Sequence, residues 1–251
     1  MADQLIPIGR GFWNVRGSFK IGGVLDIGTQ TSLAQLQSGR FVLLDAYACE
    51  GPIEAQIMEL TDQGKAIEAI INLHPFHTVH VKRVAKQFPN AKLYGTARHI
   101  EKAPELSWQP QHTNESTFHE LYADDFIFSI PRGVTFIPEN ENLHFASVLA
   151  THIMSGTLHV DDTLMWSDLP LVGGLTFHPT LRWVLETRAG AANQFRYWAE
   201  ELIEQCADVE HLCTAHTRAL PDLPAKRIQD HVQEALDKVE DILHKHRQKY
   251  G

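Results

Sequence analysis

The feature that most constrains this chain is a short apolar run that ends in three closely spaced histidines. Residues 66–73 read Ala-Ile-Glu-Ala-Ile-Ile-Asn-Leu, and His74, His77 and His80 follow directly. A run this short and apolar predicts a buried β-strand, which puts the histidines at its carboxyl end. In layered α/β proteins ligands collect at that end, and neutral imidazole is a common ligand of transition metals. The stretch therefore indicates a metal site beside a sheet.

Composition favours a folded, acidic protein. With 251 residues, 43% of them apolar, the chain can bury a sizeable core, and we expect a single domain over residues 1–251. The formal net charge of -9 disfavours binding to nucleic acid or to an anionic membrane. No apolar run reaches transmembrane length and no secretion-signal pattern is present, so we expect a cytoplasmic protein. Three cysteines without paired spacing predict reduced thiols.

The first half of the chain alternates predicted strands and helices after an all-strand beginning. Strands are expected at residues 12–19, 23–35, 41–45, 66–73 and 92–96. Helices are expected at residues 52–65 and 80–88. Residues 104–125 are polar and irregular and predict a surface excursion that borders the active site.

The second half predicts another sheet covered by helices. Strands are expected at residues 126–130, 134–137, 143–151, 157–160 and 209–214, with a break at 169–174. Helices are expected at 180–186, 193–206 and 225–250, and the last of these has a regular apolar stripe.

In four segments a predicted apolar strand runs into a ligand-type residue: residues 42–45, 69–80, 158–164 and 212–217. These segments resemble the metallo-β-lactamase superfamily. In that order they are similar to the family's early strand ending in aspartate, its His-x-His-x-Asp-His segment, its Gly-Asp-x-Leu segment and its closing Pro-Gly-His segment. The resemblance covers about residues 20–220. It implies an α+β fold, the four-layered αβ/βα sandwich, with a metal site between two sheets.

The resemblance also implies a set of metal ligands. The six candidates are His74, His77, His80, His144, Asp162 and His216. Asp162 takes the family's metal-bridging position, and His216 takes that of the closing histidine. His144 precedes Asp162 by a separation similar to the family's, and His152 competes with it.

The histidine segment departs from the family pattern at two positions. With His77 and His80 on the second and third family histidines, Pro75 takes the first position, and we expect a loop adjustment to let His74 serve instead. Val79 then replaces the aspartate that in family hydrolases binds one metal and orients or deprotonates the attacking water. Valine can do neither. One divalent metal rather than two, and slow or restricted hydrolysis, are the resulting predictions.

Three functions compete at this stage. The first is a metal-dependent hydrolase of a small-molecule substrate, with zinc as the expected metal and iron or manganese as alternatives. The second is a catalytically inactive binding protein that keeps the fold, and the third is a redox enzyme with a single iron, for which two histidines and an aspartate suffice. The loops at 104–125 and 166–180 set the substrate, and the sequence leaves both substrate and oligomeric state open.

Other polar residues near these motifs have less specific predictions. Asp161 and Asp168 are expected to be solvated or capping residues, or else partners of a ligand histidine. Cys213 is expected in the core. The histidines predicted at the surface or in packing are His99, His112, His119, His159 and His178.

Overall fold

Two β-sheets with helices on their outer faces make up the architecture. The computed structural model describes residues 4–18, 20–21, 25–26, 28–167, 173–216 and 226–251. In its first half the strands are β1 (Gln4–Gly9), β2 (Phe12–Gly17), β3 (Lys20–Ile21), β4 (Leu25–Asp26), β5 (Thr29–Gln35), β6 (Phe41–Leu44), β7 (Ile67–Ile71) and β8 (Lys92–Tyr94). In its second half they are β9 (Phe126–Ser129), β10 (Leu149–His152), β11 (Thr157–Val160), β12 (Leu164–Ser167), β13 (Gly174–Phe177) and β14 (His211–Thr214).

Five of the helices in the described ranges match predicted ones, with shifted ends, whereas α3 and α4 had not been predicted. They are α1 (Gly51–Leu60), α2 (Val81–Gln87), α3 (Ala97–Lys102), α4 (Ser116–Leu121), α5 (Leu181–Val184), α6 (Ala191–Gln205) and α7 (Ile228–Tyr250). No helix in the described ranges combines the length and the apolar character that a bilayer-spanning helix needs.

Each large sheet contains a parallel part, and this decides where strand ends meet. The first sheet has the order β1-β2-β5-β6-β7-β8, in which β6, β7 and β8 are parallel. The second has the order β14-β11-β10-β9, in which β11 and β14 are parallel. Two short antiparallel pairs, β3 with β4 and β12 with β13, complete the described strands.

Alternate strand residues face different apolar layers. In β6, Val42 and Leu44 pack between the two sheets, whereas Leu43 packs with residues of α1 and α2 on the outer face. In β11, Leu158 and Val160 pack with residues of α6 and α7 on the outer face of the second sheet. Burying a side chain of this size stabilises the fold by about 1.5–3 kcal/mol. The order helix, sheet, sheet, helix confirms the predicted four-layered αβ/βα sandwich.

The strand predicted at residues 134–137 is wrong. Val134 makes one isolated bridge to Leu185, and the residues around it form bends. Pro131 and Pro138 flank the segment, and proline cannot donate a hydrogen bond to a neighbouring strand. Val134 and Phe136 pack against the core, but the segment pairs with no strand among the described residues.

The strand predicted at residues 143–151 is wrong over its first part, because β10 begins only at Leu149. A threonine side chain replaces a strand partner in the preceding segment. Thr163 Oγ1 accepts from Ser147 N at 3.0 Å and donates to Phe145 O at 2.9 Å. These bonds hold residues 143–148 as irregular backbone, of which residues 145–148 are buried.

Residues 104–125 were predicted to be irregular, but part of this segment is helical. They contain α4, whose Phe118 is fully buried, and Tyr122 is buried just after it. Both rings pack in the layer between the sheets, which explains why this polar segment folds back onto the protein. Strands β1, β12 and β13 had not been predicted. Residues 169–172 of the predicted break, and residue 225, lie outside the described residues.

Candidate metal centre

Four strands end at one place between the two sheets. Asp45 follows β6 and His74 follows β7, and these strands are parallel neighbours. Asp161 follows β11 and His216 follows β14, which are parallel neighbours in the second sheet. His144 arrives from the irregular segment before β10, which runs antiparallel to β11. The carboxyl ends of both parallel pairs therefore converge.

Four histidine rings surround the carboxylate of Asp162, which is only 1% exposed. His144 Nδ1 lies 2.8 Å, His74 Nε2 3.4 Å and His77 Nε2 3.9 Å from Asp162 Oδ2. His216 Nε2 lies 2.9 Å from Asp162 Oδ1. We call these five residues the Asp162 cluster. The structure thus brings together five of the six candidate ligands.

Two of these rings have their outer nitrogens directed towards other groups. His216 Nδ1 lies 2.9 Å from the carbonyl oxygen of Gly28, which can only accept, so Nδ1 is the protonated nitrogen. His77 Nδ1 lies 3.7 Å from Asp161 Oδ1. Both rings consequently turn Nε2 towards Asp162. A histidine lone pair that faces a carboxylate is stable only with a proton or a cation between them, and metal-binding histidines are commonly held in this way.

His74 is held differently. The backbone N–H of Phe76 donates to His74 Nδ1 at 3.2 Å, so the neutral ring carries its proton on Nε2. Within the described part of the chain, this buried Nε2 makes no hydrogen bond. Burial lowers the pKa of His74 well below its usual value. To bind a metal through Nε2, His74 must change tautomer and lose the bond from Phe76, so it is a weaker ligand than His77 or His216.

Asp162 is ionised in spite of its burial. Burial raises its pKa, but His74 and the hydrogen bonds from His144 and His216 hold the pKa of Asp162 well below its usual value. Burial lowers the pKa of His216, whereas its hydrogen bond to Asp162 and the charge there raise this pKa, and the net shift is upward. A buried carboxylate costs several kcal/mol unless cationic or hydrogen-bonding groups surround it. The cluster supplies such groups.

Asp161 is buried beside Asp162, so its prediction as a solvated or capping residue is wrong. Burial, together with the charge of Asp45, raises the pKa of Asp161 to about 7. Burial lowers the pKa of Arg16, on β2 of the other sheet, to about 10, although the charge of Asp161 acts to raise it. The other prediction, a partner for a ligand histidine, agrees with the distance to His77. Asp168 lies outside the described residues.

Asp45 fixes the start of the histidine loop. Its φ of 60° lies in the left-handed region, which an aspartate adopts at some cost and which recurs at functional sites. Its Oδ1 accepts from Leu73 N at 2.8 Å and from His74 N at 3.3 Å. The loop after β7 is thereby tied to the end of β6.

His159 is a functional neighbour that sequence reasoning missed. It is fully buried, with Nδ1 2.9 Å from Ser32 Oγ and Nε2 3.0 Å from Asp45 Oδ2. We call Ser32, His159 and Asp45 the His159 chain. Strand alternation was the available signal, because Leu158 and Val160 face the helices and the residue between them must face the other sheet.

Two candidate histidines lie elsewhere. The His80 ring packs 4.9 Å from the Tyr47 ring, and among the described residues it joins no group of close ligand atoms. His152 has both ring nitrogens hydrogen-bonded, at 2.8 and 3.0 Å, to a serine hydroxyl and a backbone carbonyl. It is therefore His144 that reaches Asp162, while a ligand role for His80 stays a prediction.

The remaining residues of this kind pack as expected. His99 is buried under α3, where its Nδ1 accepts from Thr96 N at 3.1 Å. His178 is partly buried, and its ring lies 6.2 Å from that of His144. Cys213 is buried in the layer between the sheets, and burial raises its pKa to about 12.

A cavity of about 370 Å³ opens beside the Asp162 cluster. His77, His144 and His216 line it, together with Phe76 and Val79. This volume lies at the lower end of the range of small-molecule sites. The cluster is therefore reachable by a small ligand from one side.

Comparison of structures identifies the fold, whereas comparison of sequences finds no match. No protein-family model and no curated protein matches this chain. The DIM-1 metallo-β-lactamase exposed to ceftazidime matches with 13% identity and a TM-score of 0.62, over 95% of this chain and 98% of that one. The chain has the metallo-β-lactamase fold. A metallo-β-lactamase from Erythrobacter litoralis, with β-mercaptoethanol in the active site, matches with 14% identity and a TM-score of 0.60, over 95% and 96%.

A third metallo-β-lactamase-fold structure was solved with one metal. FIM-1 from Pseudomonas aeruginosa in its mono-zinc form matches with 12% identity and a TM-score of 0.57, covering 95% of this chain and 96% of that one. At identities this low, the structural superposition establishes a shared fold alone, and it confirms the predicted resemblance. Such identities leave activity to be argued from the residues.

Within this metallo-β-lactamase fold, the side chains at the strand ends fit a metal ion. Their imidazole nitrogens and carboxylate oxygens suit zinc, iron or manganese. Among the residues that the structure describes, three groups each have ligand atoms that lie within 4.8 Å of one another. They are His74 with His144 and Asp162, His77 with Asp162 and His216, and Asp45 with His77 and Asp161.

Proposed function

We propose that this protein is a metal-dependent hydrolase of a small molecule, with one divalent ion held by His77, Asp162 and His216. Zinc is the expected metal. One observation carries the proposal: both histidines have Nδ1 directed to other groups and Nε2 directed to the Asp162 carboxylate. That is the arrangement of histidines whose outer nitrogen is fixed so that the inner one can bind a metal.

The metal would lower the pKa of a bound water towards about 7 and polarise the bond to be broken. The protein's own part is to orient and to move protons. The Gly28 carbonyl holds the ring of His216, and the Asp161 carboxylate lies 3.7 Å from Nδ1 of His77. His144, whose side chain is 40% exposed in the cavity wall, is the histidine placed to exchange a proton with the substrate.

The reaction is expected to be slow or restricted. Val79 replaces the family's aspartate, and its side chain is 71% exposed. It supplies no general base, so water activation depends on the metal and on a neighbouring histidine. Small-molecule substrates, rather than polymers, follow from the cavity's size.

A redox enzyme with a single iron is the second candidate. Two histidines and one carboxylate are the ligands of many non-haem iron sites, and His77, Asp162 and His216 form such a set. An inactive binding protein with this fold is the remaining alternative. The identity of the bound metal separates the three.

Elemental analysis of protein purified without added metal is the decisive experiment. About one equivalent of zinc or manganese per chain supports the hydrolase. Iron would support the redox enzyme instead. No metal, and no rise in melting temperature when any divalent metal is added, would support the inactive protein and overturn the proposal.

A matched pair of variants ties the metal to the cluster. Asp162→Asn keeps the shape of the side chain but removes its charge, and we expect the metal to be lost. Asp241→Asn removes a charge from the exposed face of α7 and should leave the metal content unchanged. Equal metal content in both variants would place the ion elsewhere.

A further inference from the structure

Arg98 is a largely buried cation in the cavity wall that the proposed metal site does not use. It belongs to α3, and its side chain is only 11% exposed. Its guanidinium carbon lies 4.5 Å from the centre of the Phe76 ring, which is 5.6 Å from the His144 ring. Phe76, His144 and Arg98 all line the same cavity. A fixed positive charge thus lies one aromatic ring away from the Asp162 cluster.

The guanidinium of Arg98 is only partly satisfied. Its Nη2 lies 2.6 Å from Glu141 Oε1, whereas its buried Nε has no hydrogen-bond partner among the described residues. Glu141 is 59% exposed at the rim of the cavity. An arginine offers five N–H donors in a planar fork that fits a carboxylate or a phosphate with two parallel bonds. In this structure a single oxygen of Glu141 contacts the guanidinium of Arg98, which could bind two acceptor oxygens.

We propose that Arg98 binds an anionic group of the substrate, and that Glu141 occupies this position when substrate is absent. This inference rests on the proposed function, since it names the substrate class of the same cavity. An ion pair to an exposed carboxylate such as Glu141 is weak, so a ligand anion can displace it. Lys102 Nζ lies 3.3 Å from Glu141 Oε1 and remains as its partner after the exchange.

The substrate class follows from the two charged positions. One end of the substrate carries a carboxylate or a phosphate for Arg98, and its reacting bond lies at the Asp162 cluster. Phe76 lies between these positions and presents an apolar ring to the connecting part of the molecule. A small organic anion fits this arrangement, whereas a neutral compound would leave the fork of Arg98 unpaired.

A purely structural role makes a different prediction. If Arg98 serves only to fasten Glu141 and its loop to α3, its replacement lowers the melting temperature but leaves anion affinity unchanged. Anion affinity and melting temperature therefore have to be measured on the same variants.

Calorimetric titration of the purified protein with inorganic phosphate, and separately with succinate, tests the proposal. We expect Arg98→Gln to weaken binding of the preferred anion by about tenfold to hundredfold, because hydrogen bonds to a charged group are lost. Arg98→Lys keeps the positive charge but loses the planar guanidinium, and its anion affinity should lie between those of the wild type and Arg98→Gln. Glu141→Gln should bind several-fold more tightly, because the competing carboxylate is gone. The stronger of the two anions identifies phosphate or carboxylate as the recognised group.

Arg132→Gln is the matched control. Arg132 makes an ion pair with Glu201 at the same 2.6 Å, and neither residue lines the cavity. Its replacement should leave anion affinity unchanged.

Three results would overturn the proposal: equal affinity in the wild type and Arg98→Gln, no gain in Glu141→Gln, or no binding of either anion by the wild type at millimolar concentrations. Metal content, measured on the same samples, is a separate readout. A wild-type chain without metal overturns the proposed hydrolase, whereas unaltered anion affinity in Arg98→Gln overturns only the role of Arg98.

Discussion

Two buried histidine–aspartate groups lie between the same sheets, and they differ in how completely they are bonded. In the His159 chain both ring nitrogens have partners, at 2.9 and 3.0 Å. In the Asp162 cluster, His77 Nε2 stays 3.9 Å from its carboxylate, and His74 Nε2 makes no hydrogen bond within the described residues. Most buried polar groups are paired. The incomplete group is therefore the candidate site, and the complete one is a structural support.

Hydrogen bonds connect the His159 chain to the loop that carries two histidines of the Asp162 cluster. Asn14 Nδ2 donates to Ser32 Oγ at 2.9 Å, Ser32 contacts His159, and His159 contacts Asp45. Asp45 then accepts from the backbone of Leu73, where the histidine loop begins. The rigid chain thus positions the loop that carries His74 and His77. Substitutions in either group test this difference between the Asp162 cluster and the His159 chain.

The largest effect is expected from removing ligands of the Asp162 cluster. His77→Ala and His216→Ala should each lower metal affinity by at least about a hundredfold, because even loss of an outer partner of a ligand costs 10–100-fold. His74→Ala should lower it less, since His74 faces the site in the less suitable tautomer. His80→Ala tests the candidate ligand whose ring packs on Tyr47 outside the Asp162 cluster, and we expect it to lower metal affinity the least of the four. Competition with a fluorescent chelator measures all four.

The opposite ranking would be informative. A loss of affinity in His80→Ala equal to that in His77→Ala would show that the sequence-based ligand pair is the working one. An unchanged metal content and an unchanged pH stability in His74→Ala would remove His74 from the site.

The next largest effect is expected from substitutions of His159 in the His159 chain. His159→Ala leaves Ser32 and Asp45 buried without their partner, and we expect the free energy of unfolding to fall by about 3 kcal/mol. His159→Gln can still donate and accept, so its loss should be smaller. Urea unfolding measures both. Metal bound per folded chain should fall less than in His77→Ala, and a loss of metal without a loss of stability would make His159 part of the site instead.

His99 is a buried histidine outside both groups, and it tests how burial affects the pH dependence of stability. Burial, with the charge of His77 acting in the same direction, lowers the pKa of His99 to about 3. The unfolded chain takes up a proton near pH 6.5 and the folded chain does not. The free energy of unfolding therefore falls as the pH drops from about 6.5 towards 3. At pH 5 this amounts to about 2 kcal/mol.

His99→Gln isolates that effect. Glutamine at this position can still accept from the Thr96 backbone N–H at the start of α3, which keeps the helix cap. Between pH 8 and pH 5 the variant should lose about 2 kcal/mol less stability than the wild type. Parallel urea curves at both pH values would instead show that His99 is protonated in the folded protein.

The smallest effect is expected at the position of the missing acid. Val79→Asp should change the free energy of unfolding by no more than about 0.5 kcal/mol, because the side chain is exposed. The metal-to-protein ratio should also stay the same, since a carboxylate there would be hydrated. A second equivalent of metal in Val79→Asp would show that this loop closes onto the cluster in solution.

Local periodicity was sufficient for most of the architecture. The apolar run before the histidines forms β7, and the apolar stripes near the end of the chain form α6 and α7. These predictions succeeded because the burial of one face repeats along the chain itself. Residues 134–137 misled for the same reason: an apolar segment can be buried without pairing to a strand.

By itself, the sequence predicted the strand that ends in histidines and, through a family resemblance, the layered fold, and it named Asp162 as a candidate ligand. Only the tertiary structure decided which histidines face that carboxylate. The carbonyl that orients His216 lies 188 residues away in the chain, and the partner of His159 lies 114 residues away. Arg98 enters the cavity beside Phe76 for a similar reason. The direction of a loop side chain depends on partners brought together by folding, and no local pattern records them.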